Sequence, residues 1–167
     1  MSPDVRRRPT SRALLALLVG VAGLAACGGD SQSNRQAEVA ERGAEVMPFD
    51  LDATSHRFEP TDTGLVETVV ADDPTDDDQI TLVRQHLTSE AERFGRGDYG
   101  DPAAIHGDDM PGLADLEAGA DAITVSYDAL SAGARLTFTT DRPELVDALH
   151  RWGEAQVSDH GQHAEPT

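Results

Sequence analysis

The sequence predicts an α+β fold in which a four-stranded antiparallel sheet, in ββαββα order, carries two long helices on one face. Two pairs of short segments alternate apolar and polar residues around turn residues, as antiparallel hairpins do. Each pair precedes a segment whose apolar residues recur every three or four positions, as on one face of a helix. Packing both helices on the same side of the sheet would bury the apolar face of every element.

The first half of this pattern begins with HRFEP and GLVETVVAD, which flank TDTG, a sequence whose aspartate and glycine favour a turn. A helix is predicted from Thr75 to Phe94, because the acidic residues at 76–78 suit the N-terminal end of a helix dipole. The predicted apolar face of this helix consists of Ile80, Val83, Leu87, Ala91 and Phe94.

The second half repeats the order after a short helix predicted at LADLEAG. AITVSYDAL and ARLTFTTD alternate around an SAG turn and predict the second hairpin. DRPELVDALHRWGEAQVSD predicts the last helix, since an aspartate offers an N-cap and a proline suits the first turn.

The N-terminus predicts export and a lipid anchor. Four arginines precede the apolar run Ala13 to Ala26, which is typical of a signal peptide and shorter than the roughly 20 residues needed to span a bilayer. The run ends in LAAC, which resembles the bacterial lipobox, in which the cysteine is lipidated and becomes the new N-terminus. Cys27 is the single cysteine and has no disulfide partner. The alternative is an ordinary secreted protein with a leftover cysteine.

These features divide the chain into four parts. We expect a signal peptide at 1–26, the lipidated cysteine and a flexible tether at 27–46, one α+β domain at 47–163 and a tail at 164–167. The expected location is the cell envelope, facing outside the cytoplasm, with the lipid on Cys27 as the membrane contact.

Charge and composition exclude several functions. The formal net charge is −18, and removal of the arginine-rich leader makes the remainder more acidic. Such a chain repels phosphate backbones, so nucleic-acid binding is not expected. All 13 basic residues are arginine, which excludes lysine Schiff-base chemistry and a Walker-type phosphate loop.

Histidines in the segments IHGDDM and SDHGQHAE suggest a metal site. Imidazole is a versatile ligand for zinc and copper, and a thioether tilts the preference towards copper(I). The candidate ligands, if the last helix returns towards the loop before Pro111, are His106, Met110, His160 and His163. The structural alternative is a capped loop, with Asp108 or Asp109 capping the short helix, and a frayed polar terminus.

Two further histidines form i, i+4 pairs with glutamates on the long helices, His86 with Glu90 and His150 with Glu154. A carboxylate can orient an imidazole or raise its pKa, but such pairs more often lie on a solvated helix face, which is the interpretation we favour here.

Three segments, MPFDLDATSHRFEPTDTG, the stretch from VVADDPTDDDQ to IHGDDMPGLADLEAGA, and LVDALHRWGEAQVSDHGQHA, resemble a family of small uncharacterised bacterial secreted proteins and lipoproteins. Some of its members carry the name aspartate carbamoyltransferase. The residues do not support that activity, since the chain is too short for that two-domain fold, lacks its Ser-Thr-Arg-Thr phosphate loop and has no lysine.

The sequence therefore predicts a binding module, with copper or zinc as the sharpest candidate ligand and no catalytic residues. A metal-free accessory domain that docks an envelope protein is the alternative from another class. A small hydrolase built on the loop at His106 is the third interpretation.

Overall fold

The computed structural model describes residues 29–165, so the predicted signal peptide and Cys27 lie outside the described part of the chain. The helices are α1 (Gly29–Val46), α2 (Asp77–Phe94), α3 (Gly100–His106), α4 (Leu113–Gly119) and α5 (Pro143–His160). The strands are β1 (Thr54–Thr61), β2 (Gly64–Ala71), β3 (Thr124–Leu130), β4 (Gly133–Thr139) and β5 (Ala164–Glu165). Within these residues, no helix is both long and apolar enough to cross a bilayer.

The predicted α+β architecture is confirmed. Both hairpins form, and they join edge to edge through β2 and β4, where Leu65 lies opposite Phe138. The sheet order is β3-β4-β2-β1-β5. The fifth strand differs from the expected tail, because Ala164 pairs in parallel with His56 at the edge of β1.

Helices α2 and α5 cover the same face of the sheet, and their apolar stripes meet the inward residues of the strands. Trp152 of α5 lies at the centre, fully buried, with its ring 5.6 Å from that of Phe138 and 6.0 Å from that of Phe94. Edge-to-face aromatic pairs of this kind each add about 0.5–1.5 kcal/mol beyond area burial. This aromatic core forms one wall of the site described below.

The helix ends agree with the sequence only in part. The Asp76 side chain accepts a hydrogen bond from the Gln79 backbone N–H, as expected for an acidic helix start. At α4 the N-cap is Gly112, and neither Asp108 nor Asp109 caps it. His106 ends α3, a helix that the pattern at Gly100–His106 did not predict because it lacks an apolar repeat.

Residues at 29–46, expected to form a flexible tether, instead form α1, which packs on α3 and α5. Val39 is fully buried, and Arg35 and Arg42 donate hydrogen bonds to the carbonyls of His106 and Ile105 at the end of α3. The expectation was wrong because this helix docks with a mostly polar stripe. Arginine there provides donors for helix carbonyls that lack intrahelical partners.

Gly112 is required by the packing of α4 on α5. It adopts φ +84°, and a Cβ there would lie 2.3 Å from the carbonyl oxygen of Ala148. We expect Gly112→Ala to lower the free energy of unfolding by more than about 2 kcal/mol, measured by urea titration. Gly95→Ala is the control, because its φ of −61° is helical and the change should cost less than about 1 kcal/mol. Equal effects of the two substitutions would contradict this role of Gly112.

Candidate metal centre

A pocket between α2, α3, α5 and the first hairpin gathers most of the buried ionisable groups of the domain. Its cavity measures about 40 Å³. A single water needs about 10–15 Å³ on this scale, so the space suits an ion with a few small ligands. The polar lining residues are His56, Glu67, His86, Glu90, Asp101, His106, Gln156 and His160.

One wall, here called the carboxylate side, consists of His86 and Glu90 from α2 and Asp101 from α3. One potential ligand atom from each lies within 4.8 Å of the others, the only such set of three within residues 29–165. The i, i+4 spacing on α2 places the imidazole and the carboxylate on one face. Glu90 is only 5 % exposed, so the solvated helix face expected for this pair is wrong.

Arg93 binds the same carboxylates. Its Nη1 lies 3.1 Å from Glu90 Oε1 and 2.5 Å from Asp101 Oδ2, while its Nε donates to Asp98 Oδ2 at 3.0 Å. Arg93 contacts one oxygen each of Glu90 and Asp101, whereas Asp98 accepts from it at both oxygens. A carboxylate has two oxygens, so Glu90 and Asp101 each keep a second acceptor for another cation.

Two of the carboxyl groups next to the cavity, those of Glu67 and Glu90, bind protons more strongly than usual. Burial raises the pKa of Glu90 to about 7, and the neighbouring Asp101 adds to the shift while Arg93 opposes it. Burial raises the pKa of Glu67, on the inner face of β2, to about 8, and Glu90 adds to it. Each proton neutralises a negative charge that the interior cannot solvate.

The opposite wall, here called the imidazole side, consists of His56 from β1, His106 at the end of α3 and His160 at the end of α5. The ring of His160 lies between the other two, 5.3 Å from that of His56 and 5.0 Å from that of His106. All three side chains are buried. His106 and His160, identified from sequence, are therefore brought together, and His56 joins them.

Burial keeps these imidazoles uncharged. It lowers the pKa of His56 to about 4 and that of His160 well below its usual range, with the neighbouring histidines adding to both shifts. The pKa of His106 is also lowered by burial, although its hydrogen bond to Asp159 opposes the shift. Neutral imidazole is the form that binds metal ions.

Asp159 fixes the orientation of His106. Its Oδ2 lies 2.9 Å from His106 Nδ1 and 2.7 Å from Arg35 Nη2, and Arg35 Nε donates to Oδ1 at 3.2 Å. Although burial opposes ionisation of Asp159, the hydrogen bonds from Arg35 and His106 lower its pKa. An ionised Asp159 accepts a hydrogen bond from the Nδ1–H of His106. This tautomer of His106 carries its lone pair on Nε2.

The other residues predicted for the site lie elsewhere. Met110 is 4 % exposed in the apolar core and does not line the pocket, so the thioether there belongs to Met47. His163 follows α5, with its Nε2 3.6 Å from Asp52 Oδ1. His150 bonds the carbonyls of Thr61 and Gly64 at 3.0 Å and takes no part in the pocket.

Sequence reasoning missed His56, Asp101 and Arg35 and assigned His86 and Glu90 to solvent. A usable signal existed for Glu90, because 80, 83, 87, 90 and 94 form an unbroken helical stripe of four apolar residues and one acid. A carboxylate inside an apolar stripe indicates a buried group with a function.

Comparison with known proteins gives no match to a protein-family model, a curated protein or a solved structure.

Glu67 should make the stability of the fold decrease as the pH rises from about 4.5 to about 8. Its pKa of about 8 in the fold exceeds the ordinary value of 4.5, so its contribution to stability is complete below pH 4.5 and lost as the pH rises through 8. We expect Glu67→Gln to gain about 2–4 kcal/mol relative to the native chain between pH 5 and pH 8, measured by urea unfolding. Glu59→Gln, at an exposed position on β1, is the matched control. Parallel pH profiles for the native chain and Glu67→Gln would contradict the burial of this charge.

Proposed function

We propose that this protein is a lipid-anchored, extracytoplasmic domain that binds a divalent transition-metal ion, zinc or copper(II), through His86, Glu90 and Asp101. The observation that carries the proposal is the closeness of these three ligand atoms, within 4.8 Å of one another, beside a small buried cavity. The anchor is the lipid expected on Cys27. The ion is the bound cargo, and the protein captures or buffers it.

The ligand types support a borderline transition metal. Imidazole suits zinc and copper, carboxylate completes such sites, and one imidazole with two carboxylates can hold three positions of a four-coordinate ion. Magnesium and calcium bind through six or more oxygens and retain water, which a cavity of about 40 Å³ does not accommodate. The preference for copper(I) expected from Met110 has no support, because that thioether lies in the core.

The size of the cavity also favours an ion over an organic substrate. Sites for small organic ligands enclose roughly 300–1,000 Å³. The pocket is several times smaller, and no serine or cysteine is among its lining residues. Binding of an ion therefore has more support than the hydrolase.

The proton on Glu90 supports the same conclusion. In a buried pair of carboxyl groups, a proton occupies the place that a cation would take, because both need the same lone pairs. A zinc ion would replace that proton and form bonds with both carboxylates at once. Arg93 would keep Asp98 as its ionised partner.

The test is the zinc content of the full-length Cys27→Ser chain, a background that removes the single thiol so that bound metal reports the domain. We expect the Cys27→Ser chain to retain zinc after gel filtration. The double variant Glu90→Gln with Asp101→Asn should lose the zinc that is bound at the carboxylate side. Since the pKa of Glu90 is about 7, roughly half of this group is protonated at pH 7, so glutamine mimics a form that the fold already accommodates and the variant should fold.

The matched control is Glu92→Gln, which removes an exposed carboxylate from the same helix and should leave zinc binding unchanged. Circular dichroism establishes that each variant is folded. Zinc affinity that is the same in the native chain and in the double variant would refute the assignment of these ligands.

A further inference from the structure

We infer that the imidazole side of the pocket binds a second transition-metal ion of its own, through His56, His106 and His160. The inference goes beyond the proposed function, which uses only the carboxylate side. It rests on the spacing of the three rings, on the hydrogen bonds that hold two of them and on the burial of their nitrogen atoms.

The ring spacing matches shared coordination. Two imidazoles that bind one zinc ion at about 2.0–2.1 Å, with a tetrahedral angle between them, place their ring centroids about 5 Å apart. The His160 ring lies 5.3 Å from that of His56 and 5.0 Å from that of His106. Three elements of the fold supply these rings, since they come from β1, α3 and α5.

Two of the rings already have the hydrogen bonds typical of metal-binding histidines. Such a histidine donates its other ring N–H to a carboxylate or a backbone carbonyl, which fixes the tautomer and the ring orientation. His106 has Asp159 in this role, at 2.9 Å from Nδ1. His56 bonds the backbone of His163.

The free nitrogen of His56 is the second indication of a ligand. Its Nδ1 is buried and has no hydrogen-bond partner within the described part of the chain. An unpaired buried polar atom destabilises the fold, and an ion would supply the missing partner. On His106, Asp159 binds Nδ1, and the side chain of Gln156 is the neighbour that an ion at Nε2 would displace.

The potential ligand atoms of the imidazole side lie farther apart than those of the carboxylate side. Within residues 29–165, the set of three ligand atoms already within 4.8 Å is that of His86, Glu90 and Asp101. The plane of the His160 ring lies within 8° of that of His56, so His160 has to rotate as the ion binds, while hydrogen bonds hold His56 and His106. The affinity of the imidazole side is therefore expected to be the lower of the two.

Helix α1 contributes to the second site through Arg35. This arginine holds both oxygens of Asp159, at 2.7 and 3.2 Å, and Asp159 orients His106. Arg35 is thus a positioning residue that touches no ion. Arg42 of the same helix contacts Glu38 and the Ile105 carbonyl and, within the described residues, forms no bond to Asp159, which makes it a matched control.

Zinc titration of the full-length Cys27→Ser chain, by calorimetry with elemental analysis, tests the inference. We expect two ions per chain. The double variant His56→Gln with His160→Gln should lose the more weakly bound ion. The double variant Glu90→Gln with Asp101→Asn should lose the more tightly bound ion. Arg35→Gln should weaken the second ion about 10- to 100-fold and leave the first unchanged, whereas Arg42→Gln should alter neither.

The outcomes separate the two proposals. An unchanged number of ions in the folded His56/His160 variant would overturn the inference and leave the carboxylate site standing. Loss of all zinc in both double variants would indicate one shared ion, which also overturns it. Zinc that is lost only in the imidazole variant would retain the inference and refute the proposed carboxylate ligands. No zinc on the unmodified domain would refute both.

If His56→Gln with His160→Gln does not fold, Asp159→Asn decides the question. This change keeps the volume of the side chain and all three imidazoles, but it removes the charge that fixes the tautomer of His106. A weaker second ion with an unaltered first ion supports the inference. Two unaltered affinities would overturn it.

Discussion

The desolvation of ionisable groups beside the aromatic core is the constraint on which the other features of this pocket depend. Charged side chains are rarely buried without partners, because the interior does not replace their hydration. Here the pKa values of the imidazoles fall and those of Glu67 and Glu90 rise, so both kinds of group approach neutrality. The buried imidazole and carboxyl groups next to Trp152 are therefore mostly uncharged, and they present lone pairs that a cation can bind.

The rigid elements around the pocket explain why these lone pairs stay close together. Helix α2 supplies His86 and Glu90 from one face, and the packing of α2 and α5 on one sheet sets the distance between the two walls. Helix α1 closes the arrangement from outside, since Arg35 ties the end of α5 to the end of α3 through Asp159. A polar helix that buries little apolar surface is held here by charge-assisted hydrogen bonds.

The local pattern of apolar residues was enough to predict the two hairpins and helices α2 and α5, because alternation and helical spacing directly reflect which face is buried. It failed for α1, whose stripe contains Gln32, Arg35 and Val39 and so does not register as apolar. Residue type was enough to select His106 and His160, but their meeting with His56 depends on the parallel strand β5 and on how α5 ends. Met110 was misassigned because spacing along the chain does not report direction into the core.

If the proposed metal binding holds, selection of the ion follows from the same desolvation. The acidic surface attracts any cation, with a net charge of −18 for the whole chain, and so does not discriminate between calcium and zinc. Discrimination requires an ion to exchange its water for protein ligands within about 40 Å³. Calcium and magnesium would give up oxygen ligands for neutral nitrogen, to which they bind weakly, whereas zinc and copper gain from imidazole. A pocket with imidazoles on both walls and carboxylates on one therefore favours transition metals, because only these ions recover the free energy of dehydration by binding to imidazole.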